Sequence, residues 1–332
     1  MENSQLESIF TCTSFKIIDS AREEKVVNLL DEFERIRLTM GAFDEEEQTY
    51  WPPNENPLNI DKEWRHRAET ELNEDPEKAK ENMKLLAKKL ADDKTLNSRT
   101  DDVFLMAFLR GRKHNVDSAH KLIKTYYEMK HAYPEFYRDA LPSEKGHLYD
   151  MGYLGLIPGE DRAGHRLCVC IPGRMDFSQI SVEEVFQVGC SIFEIALLNP
   201  EIQISGVSVI MDLTGMTLLQ QARLINPRFA WQLTNCIQEK IPVRLRGVHV
   251  LHQPSYYTAL YAIFRPFLKR KLRKRIHLHG SDMSSLHDFI SPEYLPAEWG
   301  GKRPEYNAKA ITKLIKENEN KLIEWRQYGI KK

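Results

Sequence analysis

Six of the seven residues from Lys269 to Arg275 are basic, and only Leu272 interrupts the run. Just before it, apolar side chains recur at helical spacing between Tyr257 and Leu268. Converging cations of this kind can bind phosphate groups. An apolar helix that leads into a cationic run is typical of a segment lying in a membrane interface. A half-buried helix with a solvated basic end has the same composition, so the pattern leaves both interpretations open.

Histidines near the same segment raise the possibility of a metal site. His277 and His279 alternate onto one face of a predicted strand, and His249 and His252 are nearby in the sequence. Two-residue spacing without a third spaced ligand is a weak metal signature, so we expect no metal. Asp212 ends an apolar run, where we expect a hydrogen-bonded structural role and not a catalytic one.

Motifs for catalysis are missing from the sequence. No G-x-G-x-x-G or Walker loop follows a predicted strand, and neither a G-x-S-x-G elbow nor an H-E-x-x-H motif occurs. We therefore expect no catalytic residues, no cofactor and no enzyme. The basic run could contact nucleic acid, but the flanking apolar helix is not a base-stacking platform, so no nucleic-acid partner is expected.

The composition indicates a globular protein that works in a reducing compartment. The chain has 332 residues, of which 42% are hydrophobic, and five scattered cysteines that suggest no disulfide framework. Cys168 and Cys170 share a strand face and are expected to be buried thiols. The N-terminus has no signal-peptide pattern, and no uninterrupted apolar stretch reaches 18 residues. A cytoplasmic protein with peripheral membrane association is therefore expected.

Charge is distributed unevenly along the chain. Residues 1–102 hold 25 acidic and 15 basic residues, whereas residues 103–332 hold 23 acidic and 32 basic residues. The two parts could pack against each other, or the basic part could leave a positive face free for an anionic partner.

The order of predicted elements indicates helices first and an α/β domain second. Residues 61–133 read as amphipathic helices, with Asp75-Pro76 at one helix start and Asp101 or Asp102 at the next. Beyond Pro142, short apolar runs at 167–171, 206–213 and 243–251 alternate with helical patterns at 182–198 and 221–239. This alternation predicts a mostly parallel sheet. The turn Gly159–Gly164 predicts a hairpin before it.

These patterns divide the chain into four parts. We expect a partly ordered extension at 1–60, a helical N-terminal module at 61–145, an α/β domain at 146–305 and a C-terminal helix at 306–332. The helix at 182–198 is apolar almost all round, so it is either fully buried or lines an apolar cavity.

Three separate motifs, in order, resemble the CRAL-TRIO family of lipid-binding proteins, and most closely its α-tocopherol transfer protein branch. Residues 101–127 (DDVFLMAFLRGRKHNVDSAHKLIKTYY) are similar to the helical N-terminal module of the family. Residues 242–254 and 264–280 are similar to its sheet-edge strand and its mobile lid. LPAEWGG at 295–301 resembles its closing signature. The resemblance spans about 101–301 and implies an α/β domain with a mobile lid helix over an apolar pocket.

The resemblance also implies two sets of site residues. The phosphoinositide headgroup would be held by Arg244, Arg246, Lys271 and Arg275. We place Arg244 and Arg246 on one strand face and Lys271 and Arg275 on one helix face. The hydrophobic ligand would contact Phe186, Cys190, Phe193, Val207, Met211, Leu233, Ile237, Ile241 and Val243, with Tyr257, Leu260 and Phe264 on the lid.

Two pocket positions depart from the α-tocopherol transfer protein branch. Phe193 stands where that branch has serine, and Met216 stands where it has tryptophan, so a tocopherol-like, retinoid, sterol or other isoprenoid ligand all remain open. We expect a carrier that binds one hydrophobic lipid and releases it at phosphoinositide-containing membranes. The alternative is a phosphoinositide-responsive adaptor with a structural pocket, in which residues 1–60 bind the partner.

Overall fold

A five-stranded sheet lies at the centre of the α/β domain. The computed structural model describes residues 53–331 except 139, 225, 226 and 256, so the expectation for residues 1–52 lies outside the described residues. The sheet has the order β2-β3-β4-β5-β6. Its strands are β2 (Leu154–Glu160), β3 (Arg166–Cys170), β4 (Val207–Asp212), β5 (Leu245–Leu251) and β6 (Ile276–Gly280).

The sheet is mostly parallel, as predicted. Strands β3 to β6 run parallel to one another, and β2 pairs antiparallel with β3. Gly159 lies at a bulge near the end of β2 and Gly164 lies in the turn to β3, both with positive φ. The antiparallel pairing of β2 with β3 confirms the predicted hairpin. A helical region followed by this sheet gives the α/β class that the sequence predicted.

Helices flank the sheet and precede it. Before the sheet lie α1 (Lys62–Leu72), α2 (Pro76–Asp92), α3 (Asp102–Gly111), α4 (Val116–Ala132), α5 (Pro134–Tyr137) and α6 (Pro142–Asp150). Within the sheet region lie α7 (Val182–Ala196), α8 (Pro200–Ser205), α9 (Leu218–Leu224), α10 (Pro227–Asn235), α11 (Tyr257–Phe264) and α12 (Arg270–Arg273). After it lie α13 (Met283–His287), α14 (Lys309–Glu317) and α15 (Glu319–Trp325).

Side-chain caps begin several of the early helices. Asp75 accepts hydrogen bonds from the backbone N–H groups of Glu77 and Lys78, and Pro76 occupies the first helical position. Asp101 accepts from the N–H of Phe104. Both helix starts were predicted, because the caps satisfy N–H groups that have no partner within the helix.

The C-terminal segment differs from the single helix predicted for it. Two helices, α14 and α15, meet at Asn318, and the chain then forms the short strand β7 (Gly329–Ile330). This strand pairs antiparallel with β1 (Leu96–Asn97). The strand was not predictable locally, since its partner lies more than 200 residues away.

The segment around the basic run also differs from its predicted bounds. The strand predicted from Val243 begins at Leu245. The apolar helix ends at Phe264, and a 3₁₀ turn at Arg265–Phe267 with Pro266 in its first turn follows it. Proline fits the first turn of a helix but breaks its interior, so the predicted stripe is split.

Candidate functional site

Two of the four basic residues assigned to a headgroup site, Arg244 and Arg246, lie beside one carboxylate, that of Glu71. Arg246 Nη2 lies 2.6 Å from Glu71 Oε2, and Arg244 Nη1 lies 3.9 Å from the same oxygen. Lys271 and Arg275 contribute to the same electrostatic environment. The pKa of Lys271 is lowered by Arg275, then by burial and by Arg246, Lys113 and Arg244. We refer to Arg244, Arg246, Lys271 and Arg275 as the cationic cluster.

Backbone carbonyls hold the arginines in place. Arg246 Nε donates to the carbonyl of Ser205 at 2.8 Å, and Arg275 donates to the carbonyl of Leu245. Arg244 passes beside Gly206, whose φ is +77° and where a Cβ would lie 2.3 Å from the Arg244 carbonyl oxygen. Glycine at 206 is therefore needed for the close approach of the backbone at Gly206 to the backbone at Arg244.

Burial perturbs the arginines of this cationic cluster. Burial first, and then the neighbouring Arg246, lower the pKa of Arg244 to about 9, so its guanidinium is still charged at neutral pH. Burial and Arg246 also lower the pKa of Arg275. Cations that destabilise one another in this way would be stabilised by an anion bound between them.

The basic run contains two members of the cationic cluster, the exposed Lys271 and the half-buried Arg275. Helix α12 ends at Arg273, so the expectation that Lys271 and Arg275 share one helix face is wrong. The chain leaves the helix before Arg275 and brings that side chain back over the start of β5. Arg270, Arg273 and Lys274 are exposed and are available to an anionic surface.

An edge-to-face stack of phenylalanines links the lid helix α11 to the domain interior. The ring centroid of Phe264 lies 6.4 Å from that of Phe229, which lies 5.1 Å from that of Phe186. Phe186 in turn lies 5.2 Å from Phe136 on α5. The contact between Phe264 and Phe229 therefore holds α11 against the domain interior.

An apolar cavity lies between α3, α4 and α7. Three of the predicted ligand residues, Cys190, Phe193 and Ile241, line it. Its volume is about 50 Å³, whereas pockets for small molecules usually have about 300–1,000 Å³. A lipid can enter only if the surrounding side chains move apart.

The sequence analysis did not identify a part-buried ion pair in the cavity wall, between Lys130 and Glu194. Lys130 Nζ lies 2.6 Å from Glu194 Oε1, and the Tyr126 hydroxyl donates to the same carboxylate. Burial alone would raise the pKa of Glu194, but Lys130 outweighs it and the pKa is lowered. The pair stays charged. No sequence signal pointed to it, because Lys130 and Glu194 come from different parts of the chain.

The other predicted ligand residues are distributed more widely. Phe186, Val207 and Val243 are buried in the main hydrophobic core, against which Leu233 and Phe264 pack. Met211 and Ile237 are half-buried. Tyr257 stacks on Tyr261 along the lid, with 6.3 Å between ring centroids. Leu260 lies within α11.

The histidines pack as a stack of rings against Phe289. His249 Nδ1 lies 3.1 Å from His279 Nε2, and the ring of His277 stacks on that of His249 at 5.2 Å. Burial, reinforced by the neighbouring histidines, lowers the pKa of His249 to about 4. Within residues 53–331 as described, no group of three or more His, Cys, Asp or Glu side chains could hold a metal ion.

Asp212 is a hydrogen-bonded residue at the end of β4. It accepts from Trp299 Nε1 at 2.8 Å and lies 2.8 Å from His252 Nδ1. It also accepts from the backbone and side chain of Thr214. These contacts join β4 to the closing LPAEWGG segment, which is the structural role expected for this residue.

Comparison with known proteins decides the family. Residues 150–301 match the CRAL/TRIO domain, and residues 75–146 match the Pinta-like UBA domain. Clavesin-1 of Rattus norvegicus is 32% identical over 245 residues, which cover 73% of this chain and 69% of the relative. The chain belongs to the CRAL/TRIO family.

Other relatives cover similar shares of this CRAL/TRIO protein. Clavesin-2 of Homo sapiens is 30% identical over 256 residues, covering 76% of this chain and 78% of the relative. Clavesin-1 of Xenopus laevis is 32% identical, covering 76% and 75%. The crystal structure of Sfh5 aligns with 68% of this chain and 81% of its own, at 12% identity and a TM-score of 0.44.

Over the described residues, every helix falls short of the length and apolar character needed to cross a bilayer.

Proposed function

We propose that this CRAL/TRIO protein carries one hydrophobic lipid through the cytoplasm and releases it at phosphoinositide-containing membranes. In this proposal residues 61–145 form a helical module, and residues 146–305 form the ligand-binding domain. The observation that carries the proposal is the convergence of Arg244, Arg246, Lys271 and Arg275 beside the lid segment.

The exposed cations outside the cationic cluster, Arg270, Arg273 and Lys274, explain how the protein would approach a membrane. Each basic residue near an anionic surface contributes about 1 kcal/mol, so Arg270, Arg273 and Lys274 together contribute about 3 kcal/mol. That energy concentrates the protein at the surface about a hundredfold. The association is peripheral and reversible, since it decreases as salt screens the charges.

The cations of the cationic cluster would then select the headgroup. Arginine can bind a phosphate bidentately, and several converging cations suit a headgroup that carries more than one phosphate. The lid is joined directly to these cations, because α11 is followed by the 3₁₀ turn and then by α12. A headgroup that moves Lys271 would pull on the segment that holds Phe264 against Phe229.

The cargo is proposed only as a class. A tocopherol-like, retinoid or other isoprenoid molecule suits an apolar cavity. The proposed likeness to the α-tocopherol transfer protein branch applies to the way in which the lipid is released at a membrane. Phe193 takes up space inside the cavity, which argues against tocopherol itself.

Charge reversal at Lys271 tests the headgroup site. Lys271 is exposed, so K271E should fold normally and should lose most binding to phosphatidylcholine vesicles that contain phosphatidylinositol bisphosphate. The matched control is R273E, which makes the same charge change at an exposed residue outside the cationic cluster. Equal losses in both variants would show that the run acts only as diffuse charge.

A second candidate is a phosphoinositide-responsive adaptor whose pocket is structural. The cavity volume of about 50 Å³ favours it, because so small a cavity holds no lipid without rearrangement. Deletion of residues 1–52 separates the two functions. A carrier should keep lipid transfer after the deletion, whereas an adaptor that binds its partner through the extension should lose that partner.

A further inference from the structure

The carboxylate of Glu71 lies inside the cationic cluster. Glu71 belongs to the last turn of α1, more than 170 residues before Arg244 and Arg246. It bonds Arg246 at 2.6 Å and Arg67 at 2.6 Å, and it lies 3.9 Å from Arg244. Its side chain is 33% exposed, so an incoming anion can reach it.

This carboxylate uses donors that a phosphate would need. Arg246 gives Nη2 to Glu71 and Nε to the carbonyl of Ser205. Arg244 is less satisfied: no acceptor among the described residues pairs with its buried Nε. The cluster thus contains one internal anion and one buried donor that still lacks an acceptor, which points to a second anionic group as the missing partner.

We propose that Glu71 is a tethered competitor that reserves the cationic cluster for phosphomonoester groups. The inference rests on the proposed function, since it assigns the specificity of the same headgroup site. A phosphodiester lipid such as phosphatidylserine has a net charge of about −1, equal to that of the Glu71 carboxylate. A phosphomonoester carries about −1.5 to −2 at neutral pH and has three acceptor oxygens.

Tethering decides the competition at equal charge. A side chain held on the same fold has an effective concentration of order millimolar or higher, so a single-charge headgroup does not displace it. A phosphomonoester displaces it by its additional charge and by its three acceptor oxygens, against two on a carboxylate. The displaced carboxylate still has Arg67 one helical turn away, so it is not left unpaired.

The test compares wild-type protein with E71Q, E71D and the control E69Q. Glu69 is an exposed glutamate on the same helix, so E69Q removes the same charge away from the arginines. Binding is measured to phosphatidylcholine vesicles that contain phosphatidylserine, a phosphatidylinositol monophosphate or a phosphatidylinositol bisphosphate. Soluble inositol trisphosphate, measured by calorimetry, separates a free headgroup from a membrane-held one.

The proposal predicts that E71Q binds phosphatidylserine vesicles about fivefold more tightly, so that the preference for phosphoinositides shrinks. E71D should retain the wild-type preference, because it keeps the charge, and E69Q should also match wild type. A gain by E71Q toward soluble inositol trisphosphate as well shows that the headgroup alone displaces Glu71. A gain confined to vesicles shows that displacement needs the membrane.

Two results would overturn different parts of the account. Identical affinities of E71Q and wild type for every vesicle, with phosphoinositide binding intact, would refute the role of Glu71 alone. Absence of phosphoinositide binding in both proteins would refute the proposed headgroup site. A thermal melt of each variant establishes that a change in binding does not come from unfolding.

Discussion

Gln238 holds the junction between the lid and the basic run by accepting the backbone N–H of Lys269 at 2.7 Å through its Oε1. Its Nε2 donates to the carbonyl of Phe267 at 2.9 Å. One side chain therefore fixes both sides of the point where the apolar segment becomes cationic. Gln238 lies on the π-helical turn Cys236–Lys240, directly after α10.

Removing this side chain should make the lid open more often. Q238A loses both hydrogen bonds to the junction, each with a net value of about 0.5–1.5 kcal/mol, so the population of the open lid should rise about tenfold. Hydrogen–deuterium exchange across residues 257–275 measures this directly. Q179A is the control, since Gln179 bonds only its neighbour Asp176 in a distant exposed turn. Unchanged exchange in Q238A would show that the junction is held by other contacts.

A buried ion pair at the start of the helical module should dominate its stability. Arg110 is fully buried and forms two bonds at 2.8 Å with Glu74. Burial alone would raise the pKa of Glu74, but Arg110 and His114 lower it to about 2. E74Q leaves a buried guanidinium without its counterion, which costs about 3–5 kcal/mol in the free energy of unfolding.

Urea denaturation of E74Q checks this value, with E77Q as the control on the exposed side of the same region. E77Q should change the free energy of unfolding by less than about 0.5 kcal/mol. Because the folded-state pKa of Glu74 is lowered, its contribution is present above about pH 4.5 and is lost as the pH falls toward 2. A cost below about 1 kcal/mol for E74Q would mean that the pair is not buried as described.

The histidine stack should make the fold sensitive to mild acid. The folded-state pKa of His249 is about 4, below its ordinary value of 6.5. The unfolded chain therefore binds a proton between about pH 6.5 and 4 while the folded chain does not, and stability falls as the pH falls through that range. The contribution of His249 amounts to about 3 kcal/mol at most.

Stability measured against pH in H249Q should show a shallower decline over that range than wild type. H66Q replaces an exposed histidine on α1 and should leave the decline unchanged. If wild type and H249Q have parallel profiles, His249 is not the group that titrates.

The sequence predicted the architecture well but missed the contacts that complete the site. Local patterns were sufficient for the hairpin at Gly159–Gly164 and the caps Asp75 and Asp101, because these depend on neighbouring residues. The basic residues were identified through a family resemblance. Their partner Glu71 was not, since only folding brings residues 71 and 246 together. The same reason explains why Lys130 and Glu194 escaped notice.

The segment from Tyr257 to Leu268 was predicted as one helix, and its shape in the structure is different. A uniform apolar stripe suggested one helix to Leu268, and the effect of Pro266 on that stripe was overlooked. The consequence is functional, because the 3₁₀ turn and the short α12 let Lys271 and Arg275 reach one cluster.

The central claim, that the protein carries one hydrophobic lipid, is tested most directly by extracting and identifying the molecules bound to it. Protein purified from its natural source is extracted with organic solvent, and the extract is analysed by mass spectrometry before and after incubation with vesicles. The account predicts one apolar lipid in about equimolar amount, lost faster to vesicles that contain phosphatidylinositol bisphosphate than to phosphatidylcholine alone. Protein that contains no lipid and takes up none of the added retinoids, tocopherols or sterols would contradict the carrier and favour the adaptor.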